Sequence, residues 1–133
     1  MSETSYSSTR KLLTDRTDLT TLVPANSIKM GFMLEPDVYP CVTITKTGGT
    51  SWGYLGYGSS PAGSKMRRAN YTFQIDIYSR SGLLHLEKIS DQVILALMSG
   101  NSYRLVSDTD WYEDGISAYR KIQTWTFWDN IDD

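Results

Sequence analysis

The chain has 133 residues, 40% apolar and 21% charged, with a formal net charge of −2. This is the profile of a folded domain with a core, which excludes a disordered chain. No apolar run approaches the ~20 residues that span a bilayer, so no membrane partner is expected.

Residues 5–22 read as helical, with Leu12, Leu13, Leu19 and Leu22 as the apolar positions and Asp15 or Thr17 placed to break or cap a second short helix. Pro24 and Asn26 end it. Residues 28–34 read as a strand with Ile28, Met30 and Phe32 on one face, and two prolines make 35–40 a turn. Residues 41–46 form a strand in which Val42 and Ile44 alternate with Cys41, Thr43 and Thr45. Next comes GGTSWGYLGYGSSPAGSKMRR, residues 48–68, which holds six of the ten glycines. It reads as a long inter-strand arm, well beyond ordinary hairpin length.

The clearest strand is 69–78. Tyr71, Phe73, Ile75 and Ile77 face one way, while Thr72, Gln74, Asp76 and Tyr78 make a wetter face. The helix at 82–99 carries Leu86, Ile89, Val93, Ala96 and Leu97 on one stripe, with Ser81 as candidate N-cap and Gly100 as its terminator. A short strand at 102–106, an acidic turn DTDWYEDG at 108–115, and a strand over 116–128 complete the domain. Residues 129–133 are a polar tail expected to fray. The whole, 1–133, is expected to be a single α+β domain. Its antiparallel or mixed sheet has about five strands, with the N-terminal and central helices on one face.

Nothing in the pattern predicts an enzyme, a metal site or a cofactor. The lone histidine, His85, has no second His or Cys near it to share a zinc ion. Cys41 begins a strand beside Pro40, with no helix N-terminus to activate its thiol, so a Cys41–His85 hydrolase is disfavoured. As the only cysteine, Cys41 also excludes an intramolecular disulfide. Residues 1–10 are polar and Ser/Thr-rich, unlike a secretory signal. Asp108, Asp110, Glu113 and Asp114 lack the central glycine and distal Glu of a calcium loop, because Trp111 and Tyr112 occupy the middle. The glycines of the arm have neither the P-loop nor the dinucleotide spacing, and no helix follows them to receive a phosphate. Stacking on single-stranded nucleic acid through the arm's aromatics and arginines is a reading from a different class.

Charge is unevenly distributed. Residues 1–70 hold 8 Lys and Arg against 5 Asp and Glu, and residues 71–133 hold 5 against 10. Opposite signs on the two halves do not suit a general nucleic-acid binder, which needs one strongly basic surface. They suit a subunit whose front meets the back of another copy, although small domains also show such imbalance without function.

A set of ordered phrases adds to this reading: an N-terminal helix ending in LTTLVPANSI, then YPCVTIT, the glycine-bearing insertion, RANYTFQIDIYSRSG, LEKISDQVILALMSG and YRKIQTWTFW. Over roughly residues 8–128 the pattern resembles the tail terminator (tail completion) proteins of long-tailed bacteriophages and related viruses. The resemblance implies a structural protein of the virion, found at the tail–neck junction and assembled in the host cytoplasm. It implies a homo-hexameric ring that caps the tail tube, ends elongation and presents the surface for head–tail joining. The implied partners are further copies of the chain, the major tail tube protein, a neck or head-completion protein, and DNA passing through the lumen. Another neck or head-completion adaptor is the near alternative. In the ring, Trp52, Tyr54 and Tyr57 would dock on a neighbouring subunit or the tube end, or else fold back on their own sheet. Arg67 and Arg68 would pair with acidic groups such as Asp108, Asp110, Glu113 and Asp114 of the next copy, or face DNA.

Overall fold

The computed structural model describes residues 5–31, 36, 38–54, 67–100 and 102–131. The N-terminal segment forms two helices, α1 (Ser5–Thr14) and α2 (Thr17–Leu22), separated at Asp15 and Arg16. Thr9 and Leu13 turn inward from α1, and Leu19 and Val23 continue the apolar surface. Pro24 then leaves the helical region and a short 3-10 turn delivers the chain to β1 (Ile28–Met30). β1 is shorter than the expected 28–34. Gly31, at φ +98°, turns the backbone out of the strand while its N–H still donates to the Ile44 carbonyl at 2.7 Å. Phe32 lies outside the described residues, and Met30 is 54% exposed despite sharing a face with Ile28.

The remaining strands are β2 (Cys41–Tyr54), β3 (Arg67–Ser79), β4 (Tyr103–Glu113) and β5 (Ala118–Ile131). They form one sheet in the order β1-β2-β3-β5-β4, in which β1 runs parallel to β2 and all other pairs are antiparallel. With α1, α2 and α3 (Leu83–Met98) on one face, this is the α+β architecture expected. The core lies between them. Leu86, Ile89, Val93 and Leu97 of α3 meet Val42, Ile44, Phe73, Ile75, Ile77 and Trp125 of the sheet, all wholly buried. Each such side chain contributes roughly 1.5–3 kcal/mol when removed from water.

Three differences from the sequence expectations have local physical causes. β2 continues to Tyr54 and β3 begins at Arg67, so both ends of the stretch 48–68 belong to the ladder and pair with each other (Tyr54 opposite Arg67). Register shifts at Lys46/Gly48 and Ser51/Tyr54 absorb the glycines without ending the strand. β4 extends to Glu113, and only Asp114–Ile116 with Ser117 make the turn, because Arg120 and Lys121 of β5 pair with the acidic side chains of β4. β5 runs on to Ile131, through part of the segment expected to fray.

The N-cap of α3 is Gly82, not Ser81. Gly82 has φ +109° and ψ 173°, a region essentially closed to residues with a Cβ. Ser79 supports this start: its Oγ accepts the Ser81 N–H at 3.1 Å and lies 2.7 Å from His85 Nδ1. Gly100 follows the helix as anticipated, but for a packing reason. A Cβ there would fall 2.8 Å from Leu12 Cδ1 and 3.1 Å from the Tyr103 ring.

Candidate functional site

Alternation along β5 sends Arg120 to the open face of the sheet and Lys121 to the helix-bearing face. Each cation meets two carboxylates. Arg120 Nη2 lies 3.0 Å from Asp76 Oδ1 and its Nη1 lies 2.8 Å from Glu113 Oε1. Lys121 Nζ lies 2.9 Å from Asp110 and 3.3 Å from Asp108. Burial works against the charge of Arg120, but the bonds it donates to Glu113 and Asp76 outweigh it and its pKa is raised. Lys121 is raised on the same balance, burial opposed by the hydrogen bonds it donates to Asp110 and Asp108.

Both clusters therefore hold one more negative than positive charge, and both sit at the β4 edge. Asp76 is wholly buried and also accepts Gln74 Nε2–H at 3.1 Å on each oxygen. Tyr78 is buried beneath Arg120, whose guanidinium lies 5.5 Å from the ring centroid. The face expected to be wetter is thus dry at Asp76 and Tyr78, and Cys41, Thr43 and Thr45 on the same face are buried with them. Beside the cluster, Trp111, Glu113, Arg120 and Ile122 line an open cleft, and Trp111 stands 57% exposed.

The opposite edge is built differently. β1 pairs with β2 only at Val42, Thr43 and Ile44, and its Lys29 lies on the open face beside Thr43. On the helix face, Arg10 Nε donates to the Ile28 carbonyl at 2.9 Å and its Nη2 to the Ala25 carbonyl. Lys46 lies 4.7 Å from the Tyr71 ring centroid and 5.8 Å from that of Tyr6.

Of the residues singled out in the sequence, Trp52 and Tyr54 are carried by the far half of β2, and Arg67 and Arg68 open β3 beside it. Tyr57 lies outside the described residues. Asp108, Asp110 and Glu113 are brought together with Lys121 and Arg120 of their own chain, and Asp114 begins the turn. Arg120, Lys121 and Asp76 were missed by sequence reasoning. The period-two spacing of Asp108 and Asp110, followed after a turn by adjacent Arg120 and Lys121, is the signal that could have found them.

Cys41 and His85 do not form a catalytic pair. Cys41 is buried on the open face, where burial pushes its thiol up to about 11, while His85 sits on α3 across the sheet. Among the described residues, no group of three His, Cys, Asp or Glu side chains could hold a metal ion. No helix among them is long and apolar enough to cross a membrane.

Neither a family model nor a curated protein matches the chain. Among solved structures, a chain of the virion of a native gene transfer agent particle superposes with a TM-score of 0.67, covering 92% of this chain and 92% of that one. The two chains share a fold. At 10% identity the likeness resides in the architecture, not in matched side chains.

Proposed function

We propose that the protein is a structural component of a virion, and specifically a tail terminator. Copies of the chain form a ring on the end of the tail tube, stop its elongation and offer the tail-side surface for head–tail joining. The observation that carries this reading is the shared fold over 92% of both chains with a virion component. It agrees in kind with the ordered sequence phrases. The partners are other copies of the chain, the major tail tube protein and a neck protein, with DNA passing through the lumen. In this reading Trp52, Tyr54 and Tyr57 are aromatic anchors of the β2–β3 arm, and Arg67 and Arg68 supply the charge at its base. No chemical step is required of the chain.

The test is to add the purified protein to growing tubes of the cognate tail tube protein and image the ends by negative stain. Capped ends and arrested growth are expected. Tubes that elongate as they do without the protein would overturn the role, and binding to a head-side neck ring alone would make it an adaptor.

A further inference from the structure

The two edges of the sheet are finished in different ways. On the β1/β2 side, α1 closes the backbone: Arg10 Nε donates to the Ile28 carbonyl at 2.9 Å, and Tyr6 Oη accepts the Lys46 N–H at 2.7 Å. Along β4, among the described residues, no strand lies beside the edge and no side chain caps the backbone between Arg104 and Tyr112. An edge guarded against pairing is short, bent, or lined with lysine and proline. Beyond its bulge at Val106, β4 instead holds an unbroken register from Ser107 to Glu113, and Val106, Trp111 and Tyr112 stand exposed. What the edge lacks is positive charge. β5 sets Arg120 opposite Trp111 and Lys121 opposite Asp110, one cation on each face. Each cation answers two carboxylates, so each face keeps one surplus negative charge. The Asp110 side chain is 54% exposed and that of Glu113 31%, so both stay within reach of a newcomer. The cleft lined by Trp111, Glu113, Arg120 and Ile122 encloses about 370 Å³, room for one long side chain.

We infer that β4 receives an extended segment of another protein as an added strand, and that this segment carries two adjacent basic residues. Neighbours on a strand point to opposite faces. The residue beside Asp110 therefore meets the helix-face cluster, and the next one, beside Trp111, meets the open-face cluster. The first neutralises the surplus shared by Asp108 and Asp110. The second lays its aliphatic stem on Trp111 and brings its charge to Glu113. The donor repeats from outside the sheet what Arg120 and Lys121 do from inside it. A second copy does not supply such a segment. The chain has three adjacent basic pairs, Arg10–Lys11, Arg67–Arg68 and Arg120–Lys121. They lie in α1, in β3 between β2 and β5, and in β5 between β3 and β4, so none borders an open edge. Pairing of β4 with another β4 would bring like charges together. The docking edge is independent of the terminator role.

The probe is the peptide AYRKIQTW, the sequence of Ala118–Trp125, which already complements β4 from inside the sheet. Its binding to the whole chain is read by fluorescence anisotropy of a labelled copy at low and high salt, with circular dichroism to confirm folding. Saturable binding that weakens with salt is expected. Replacing either basic residue of the peptide by glutamine should weaken binding about threefold, and replacing both about tenfold. On the protein, Asp110→Asn and Trp111→Ala should each weaken it about threefold. If Asp110→Asn unfolds the chain, Glu113→Gln takes its place. N-methylation of alternate peptide amides separates strand addition from charge attraction, since one alternate set should abolish binding and the other should leave it intact. The proposal is overturned by a peptide that does not bind, by equal binding of the double-glutamine peptide, by indifference to both protein substitutions, or by methylated sets that behave alike. Self-association of Asp110→Asn with the peptide still unbound would make the carboxylates a guard against edge pairing, and remove the docking site. Tube capping is scored separately. A chain that binds the peptide and leaves tubes uncapped keeps this site and loses the terminator role, while one that caps tubes and ignores the peptide does the reverse.

Discussion

Asp76, wholly buried on the face opposite the helices, accepts an ion-paired hydrogen bond from Arg120 Nη2 at 3.0 Å across neighbouring strands. Gln74 is the only other hydrogen-bond partner seen at this carboxylate among the described residues. The pair therefore matters chiefly through what its loss would leave behind. Arg120→Met should destabilise the fold by about 3 kcal/mol, since a buried charge left without its partner is costly. Adding Asp76→Asn should recover much of the loss. Urea unfolding of the two single variants and the double variant, with the m-value held constant, checks both statements.

A second buried chain of polar groups joins sheet to helix. Trp125 Nε1–H donates to Gln123 Oε1 at 2.9 Å, and Gln123 Nε2–H donates to Ser90 Oγ at 2.9 Å. Gln123→Ala strands the indole N–H and the serine together, and should cost about 2–4 kcal/mol through unsatisfied groups and lost packing. Ser90→Ala removes only the outer member and should cost about 1 kcal/mol. Thermal melts that rank the two variants the other way would refute this assignment of weight.

Gly82→Ala tests the backbone at the start of α3. The residue has open space around a would-be Cβ but a φ of +109°. The loss should therefore be conformational, about 1–3 kcal/mol, with the helix content of the folded state unchanged. Gly100→Ala should also destabilise, by contrast through its clash with Leu12 and Tyr103. Shortening Leu12 to Ala in the same chain should relieve the second variant and leave the first as it was.

Alkaline pH should weaken the fold. Burial is the main cause that raises Cys41 from 9.0 to about 11 and Tyr78 from 10.0 to about 12. In the window between each ordinary and raised value, the folded chain keeps a proton that the unfolded chain has released. The stability associated with these groups is thus intact below pH 9 and falls as pH rises toward 12, by roughly 1 kcal/mol per pH unit for each group within its window. Urea midpoints from pH 8 to 11 should show the decline, and Cys41→Ala should flatten its first part. A thiol reagent at pH 8 should label Cys41 only after unfolding.

The architecture was legible where the alternation was clean. Phe73, Ile75 and Ile77 announced β3, and the stripe from Leu86 to Leu97 announced α3. β4 was misread because a strand containing Asp108, Asp110 and Glu113 looks like a solvated turn until its cross-strand cations are known. The start of α3 was misplaced because Ser81 has the preferred cap chemistry while Gly82 alone tolerates the required φ. The edge site was half legible. Its carboxylates stood out as a run, whereas Arg120 and Lys121 gained meaning only when the register put them opposite that run. Asp76 is contributed by a third strand, β3, and only the register brings it there.

The adjacency of Arg120 and Lys121 bears on how β4 survives as an edge strand. Because the two cations leave β5 on opposite faces, their four carboxylate contacts grip the sheet from above and below at once. A slip of β4 by one residue would carry Asp108 and Asp110 to the wrong face and Glu113 away from Arg120, breaking three of those contacts together. The hairpin is thereby keyed to a single alignment by its own side chains.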